Sequence, residues 1–235
     1  MPMFHRFKKR DSVLVVGTFR SGTNLMKWML ESHYGTEVHF SRWFWKHGLP
    51  PTSILRPIPD DVPIVVMTKD PVKLNASLYS FWQKRRPELS VGDNFEDFIT
   101  QPLVVYDNTD GQLRPQYRFA TPTDYWNQYH FSWTHWREVS ARLNFVKLED
   151  LLADPVLVMD SLEARLDLAA PLTRERLLPD QPVLPSSDGK AATIRNSRTG
   201  FVPAKPLVPS AHEASIIRSL VDRDTALALQ YLDYL

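Results

Sequence analysis

Between Val16 and Leu25 the chain reads Gly17-Thr-Phe-Arg20-Ser21-Gly22-Thr23-Asn24, small and hydroxyl-bearing residues around a single arginine. Glycines at this spacing let the backbone turn sharply. When a helix opens directly after such a loop, its main-chain N–H groups converge and its dipole adds partial positive charge. Arg20 supplies a full positive charge. These residue types in this order suit an anion, and a phosphate above all.

The nearest generic pattern is the P-loop, G-x4-G-K-[ST]. Gly17 and Gly22 have its spacing, but Thr23 stands where the lysine belongs and Asn24 where the magnesium-binding hydroxyl belongs. The basic residue lies inside the loop instead, as Arg20. An ordinary ATPase or GTPase would lack both its lysine and a metal ligand, which argues against that chemistry. Further candidates lie downstream: Lys46-His47, Lys69-Asp70-Pro71 with Ser77, Glu149-Asp150 with Asp154-Pro155, and the basic run Lys190 to Arg198.

The elements that must carry these residues are legible. Val13 to Val16 predict a buried strand, and Leu25, Met26, Met29 and Leu30 a helix opening at the loop. Thr36 to Phe40 predicts a short strand, and Ser41 to Pro59 a structured aromatic loop. Pro63 to Thr68 predicts a second strong strand, followed by a helix that Asp70 caps with Pro71 at its first position. A short helix over Phe95–Ile99 precedes a turn-rich segment at Leu103 to Tyr117. A long helix from Thr121 carries Tyr125, Trp126, Tyr129, Phe131, Trp133 and Trp136; most of these aromatics read as core, the others as a wall for an acceptor. Asn144 to Lys147 predicts another strand, with a helix from Asp154-Pro155 to about Leu168. The stretch 171–209 reads as an extended loop; Ser210-Ala-His-Glu213 is a capping box opening the final helix, with a further helix over Thr225 to Leu235. Strands alternating with helices predict an α/β fold: a single domain, a parallel sheet with helices on both faces, and a P-loop-like strand-loop-helix, with its core at about 12–170. Ligands of such sheets bind beyond the carboxyl ends of the strands, where the loops after Val16, Thr68 and Lys147 fall.

Composition narrows the class. The 235 residues carry a formal net charge of +1, so no broad basic face for nucleic acid is expected. There is no cysteine, which excludes disulfides and thiolate metal sites. The first residues are basic but lack the apolar stretch of a signal peptide, and no apolar run reaches the length of a membrane span. The chain reads as soluble and cytoplasmic.

Arg20-Ser21-Gly22-Thr23 resembles the loop with which the sulfotransferase family binds the 5′-phosphosulfate of 3′-phosphoadenosine 5′-phosphosulfate (PAPS). Lys69-x-Pro71 with Ser77 resembles that family's Arg-x-Pro and serine, which hold the 3′-phosphate; Lys69 replaces the arginine, giving charge without a bidentate fork. Lys147-Leu-Glu149-Asp150-Leu-Leu-Ala-Asp154-Pro155 is similar to its [RK]-x-E-D-L-x-x-D-P signature, a structural junction. Together these cover most of residues 12–160. Lys46-His47-Gly-Leu-Pro50 resembles, with a one-residue shift, the Lys-x-His-x-Pro loop that bears the catalytic histidine of cytosolic members. Arg195, Arg198 and Gly200 resemble the late Arg-Lys-Gly segment that closes on the cofactor, at a different spacing. Two departures stand out: Leu25 replaces the aromatic after the loop and Leu148 the tyrosine of Tyr-Glu-Asp, so adenine stacking must come from elsewhere.

The resemblance implies a PAPS-dependent sulfotransferase that moves a sulfuryl group to a hydroxyl and leaves PAP. It implies cofactor contacts from Arg20, Ser21, Gly22, Thr23, Asn24, Lys69, Ser77, Arg195, Arg198 and Gly200, with Arg20 and His47 catalytic and no metal. Glu31 and His39 are weaker alternatives for the base. The tryptophan- and tyrosine-rich segments favour a sugar or glycan acceptor over a small phenol or lipid. A P-loop-type kinase, and a scaffold that binds a nucleotide or partner without turnover, are the alternatives. Oligomeric state is not legible.

Overall fold

A run of apolar β-favouring residues is stable as a strand only where both faces of the sheet are covered. In the computed structural model, which describes residues 12–85, 92–107, 114–168, 171–172, 178, 183–185, 191–193 and 207–234, this condition is met. Strands β1 (Ser12–Gly17), β2 (Glu37–His39), β3 (Ile64–Thr68) and β6 (Leu143–Lys147) form a four-stranded parallel sheet in the order β2-β1-β3-β6. Val15 lies beside Val65, and Thr68 beside Lys147, so the strands end together on one rim.

Side chains alternate across the sheet. Leu14, Val16, Ile64 and Val66 pack into one apolar layer with Leu74 and Trp82 of α2 (Pro71–Arg85), Ile99 of α3 (Phe95–Thr100) and Trp126 and Trp133 of α4 (Pro122–His135). Ile217 of α7 (Ala211–Leu220) joins the same layer. Val13, Val15, Val65 and Met67 face the other way, against Met26 and Met29 of α1 (Thr23–Tyr34) and Met159 and Leu162 of α6 (Pro155–Leu166). Each fully buried aliphatic side chain contributes roughly 1.5–3 kcal/mol. The α/β fold with helices flanking a parallel sheet is therefore the one the sequence predicts.

The expected helix starts are present. Asp70 Oδ1 accepts the Lys73 N–H at 2.8 Å, Thr121 Oγ1 that of Asp124 at 3.1 Å, and Asp154 Oδ1 that of Leu157 at 2.9 Å. Ser210 and Glu213 form the reciprocal capping box. Other segments differ from expectation. In the segment read as turn-rich, β4 (Leu103–Asp107) pairs antiparallel with β5 (Arg114–Phe119). Within the stretch read as an extended loop, β7 (Val183–Pro185) pairs antiparallel with β8 (Ala191–Thr193). The last segment is not one helix: α8 (Arg223–Ala228) stops because Gln230 takes φ 61, and a 3-10 turn, Leu232–Tyr234, follows. Among the described residues, no helix is long and apolar enough to cross a membrane.

Candidate functional site: a basic rim around the first loop

The chain passes from β1 to β2 on one side of the sheet, then returns to place β3 on the other side of β1. Loops diverge at such a reversal and leave a crevice beyond the strand ends. The loop at 17–24 opens there, and its glycines are required. A Cβ on Gly17 would lie 2.4 Å from Ser21 Oγ and 2.8 Å from the Met67 carbonyl oxygen. Gly22 takes φ 93, and a Cβ there would meet Leu148 Cδ1 at 2.7 Å. Arg20 also has positive φ, at 67, so left-handed residues stand on either side of Ser21. Alternation of helical sense in a loop builds the concavities in which main-chain N–H groups hold anions. Unlike α4, α6 and α7, helix α1 has no side chain capping its N-terminus, where Gly22 is the cap residue. Its first amides are left for a ligand or solvent.

Four strand ends bring side chains to this rim. From β1 comes Arg20, exposed, with Nε donating to Ser77 Oγ of α2 at 3.3 Å and its guanidinium over the Phe81 ring at 4.9 Å. From β3 comes Lys69, whose pKa is pushed down to about 8, first by burial and then by the positive charge of Arg20. Arg20 is therefore bonded to Ser77 and lies within charge range of Lys69. From β6 comes Leu148, against Gly22, and Glu149, whose Oε1 accepts the Asp70 N–H at 3.1 Å.

The loop after β2 supplies Lys46 and His47. Lys46 Nζ donates to Asn24 Oδ1 in the first turn of α1 at 3.1 Å and lies 3.8 Å from the Phe40 ring centre. Burial, and next the charge of Lys27, bring its pKa down to about 8. A lysine thus reaches the start of α1 from another part of the chain, although Thr23 occupies the P-loop lysine position. This residue was legible only as part of the Lys-His pair.

His47 is buried and stacks on Phe19 with ring centres 3.9 Å apart. Its Nδ1 lies 2.7 Å from the Gly17 carbonyl oxygen. A carbonyl only accepts, so Nδ1 carries the proton and, in the neutral ring, Nε2 carries a lone pair. Burial, and then the neighbouring Lys46 charge, hold the imidazole pKa well below its usual value. Burial therefore favours the neutral ring, with its lone pair on Nε2.

Other sequence candidates serve the scaffold. Ser21 Oγ donates to the Thr18 carbonyl at 2.8 Å and its backbone N–H to the same oxygen at 3.3 Å, closing the loop on itself. Thr23 is buried at the first position of α1. Glu31 is paired with Lys27 and accepts the Val38 N–H at 3.3 Å, tying α1 to β2. His39 contacts Arg42 and the edge of Trp43. Arg195, Arg198 and Gly200 lie outside the described residues.

Two features escaped the sequence reading. The aromatic residues Tyr125, Trp126, Tyr129 and Trp133 of α4 are all fully buried, and three of them turn polar atoms towards the rim loops. Of the remainder, Phe131 is exposed and stacks on His135. The C-terminal turn reaches the rim as well: the Tyr231 hydroxyl bonds Thr68 Oγ1 at 3.0 Å and Glu149 Oε2 at 3.3 Å, and that of Tyr234 donates to Asp70 Oδ2 at 2.6 Å. Neither feature has a local sequence signal beyond its aromatic content.

Compared with known proteins, the chain matches no protein-family model and no curated protein.

Proposed function

We propose that this protein is a PAPS-dependent sulfotransferase acting on a hydroxyl acceptor. The observation that carries the reading is Arg20, bonded to Ser77 and within charge range of Lys69, beside the uncapped start of α1, with His47 anchored to the same loop. Two partly desolvated lysines and one arginine around a glycine loop fit a ligand with phosphate at both ends. In this reading Arg20, the amides at 22–24 and Lys46 hold the 5′ end, and Lys69 with Ser77 holds the 3′-phosphate.

PAPS would supply an activated sulfuryl group, and its transfer would leave PAP. The residues of the chain do the rest. His47 Nε2 takes the acceptor's proton as the hydroxyl oxygen attacks. Arg20 and Lys46 place positive charge where the leaving phosphate gains negative charge. Leu148 packs against Gly22 and leaves the adenine without the stacking tyrosine of the family pattern.

Calorimetric titration with PAP, and with 5′-AMP and Mg-ATP as controls, tests this. Binding of PAP at about micromolar Kd or tighter, with 5′-AMP much weaker, is the expected result. A signal with Mg-ATP alone would instead favour a kinase. That alternative has one supporting observation, the presence of Lys46 at the start of α1. PAP binding without turnover on any hydroxyl acceptor would favour a binding scaffold.

A further inference from the structure

We propose that helix α4 is the positioning element of the site: Tyr129 acts through Lys46 and His47, and Trp126 acts through Lys69. Resting on the ligand reading above, this assigns the two residues separate effects on turnover and on recognition of the 3′-phosphate. Three consecutive rim loops are each held by one aromatic polar atom from this helix. The Tyr125 hydroxyl accepts the Phe19 N–H at 3.3 Å, next to Arg20. Trp126 Nε1 donates to the Lys69 carbonyl at 2.8 Å. The Tyr129 hydroxyl donates to the Lys46 carbonyl at 3.0 Å.

The Lys46 carbonyl is doubly held, because the Gly17 N–H also donates to it at 2.9 Å. Gly17 in turn accepts from His47 Nδ1. The Gly17 backbone and the 46–47 segment therefore form a closed circuit of hydrogen bonds, and Tyr129 pins that circuit to α4 from outside. The pins are rigid. The imidazole of His130 stands edge-on to both rings, 4.9 Å from Trp126 and 5.3 Å from Tyr129, and all three residues are fully buried. Packing of this kind leaves little rotamer freedom, which is the condition for holding a group in reacting geometry. A helix that merely filled the core would need neither hydroxyls nor an indole N–H in these places.

The test uses the full chain with Tyr129→Phe and Trp126→Phe, each of which keeps a ring in the core. Asn127→Ala is the control on the same helix, since that side chain donates to the Leu220 carbonyl and accepts the Asp222 N–H, away from the rim loops. Tyr129→Phe is expected to lower kcat about tenfold, keep PAP affinity within about twofold, and shift the His47 ring away from the pure Nδ1–H tautomer in 15N NMR spectra. Trp126→Phe is expected to reduce the preference for PAP over 5′-AMP about fivefold and leave the tautomer alone. Asn127→Ala should lower Tm and change none of these. If both variants lower Tm but leave kcat, nucleotide preference and tautomer as in wild type, α4 is only packing and the proposal is overturned. Should the wild-type chain bind neither nucleotide, the ligand reading fails. The tautomer of ligand-free Tyr129→Phe then decides: a shift supports the positioning role and an unchanged ring overturns it.

Discussion

His47 donates its Nδ1–H to the carbonyl oxygen of Gly17 across 2.7 Å, thirty residues away in the chain. That single bond joins the candidate base to the residue that opens the glycine loop at 17–24. It also selects the tautomer, so the free lone pair lies on Nε2. His47→Asn keeps an N–H able to reach Gly17 and removes the base. We expect it to lower turnover by at least about 10²-fold while PAP affinity stays within about twofold. Steady-state kinetics beside calorimetry read both; unchanged turnover would remove His47 from the chemistry.

The loop glycines carry two separable penalties. Gly22→Ala meets both a left-handed backbone and the Leu148 side chain at 2.7 Å. It should destabilise the fold by about 2–3 kcal/mol in urea unfolding. Adding Leu148→Ala should recover the steric part and leave about 1 kcal/mol that belongs to the backbone. Full recovery in the double variant would mean that the backbone conformation costs nothing there.

Lys46 and Lys69, each lowered to about 8, give opposite pH dependences to binding and to stability. Below pH 8 both are charged and attract phosphate. Between pH 8 and 9 the affinity for PAP should fall about fivefold for each lysine that contacts it. Over pH 8 to about 10.4 the unfolded chain binds more protons at these lysines than the folded one, so they add stability to the ligand-free protein as pH rises. Titrations of Lys46→Met and Lys69→Met across this range identify each contribution, and an affinity independent of pH in wild type would contradict the assignment.

Acid should destabilise the protein through its buried histidines. His130 is fully buried, with neither ring nitrogen hydrogen-bonded, and burial lowers its pKa to about 3. The unfolded state, with an ordinary histidine pKa of about 6.5, binds the proton first, so stability is lost as pH falls below that value, by up to about 1.4 kcal/mol per unit. His47 acts in the same direction. Urea unfolding at pH 7, 6 and 5 should show the loss, and His130→Leu should reduce its slope by about one proton. An equal slope in that variant would show that His130 is not the group titrating.

Tyr234 ties the C-terminal turn to the start of α2 through Asp70, which also caps that helix. Tyr234→Phe removes one hydroxyl bond to a carboxylate and should cost about 1.5–3 kcal/mol, visible as a lower Tm. Because Asp70 follows Lys69 directly, PAP affinity should fall with it by a few-fold. Loss of stability without loss of affinity would confine Tyr234 to the scaffold.

Much of the fold was legible because its signals are local. Val13–Val16 and Ile64–Met67 declare buried strands by apolar runs, and Asp70, Thr121, Asp154 and Ser210 declare helix starts within four residues of the amides they cap. The pairing of β4 with β5 was missed because the turn residues of that segment mask two short strands. The C-terminal helix was overextended because nothing in the composition announces the left-handed Gln230.

The site divides along the same line. Sequence alone determined the loop at 17–24, the charge of Arg20 and the candidacy of Lys69, Ser77 and His47, since their chemistry is written in residue type and short spacing. Only the tertiary structure decided that Lys46 reaches Asn24, that Ser21 spends its hydroxyl inside the loop, and that Glu31 is bound to Lys27. It alone turned the α4 aromatics from a stripe of packing into three supports for the rim. The physical reason is range: propensity and capping act within a few residues, whereas the bonds from Tyr125, Trp126 and Tyr129 join points 57 to 106 residues apart and exist only once the sheet has brought its strand ends together.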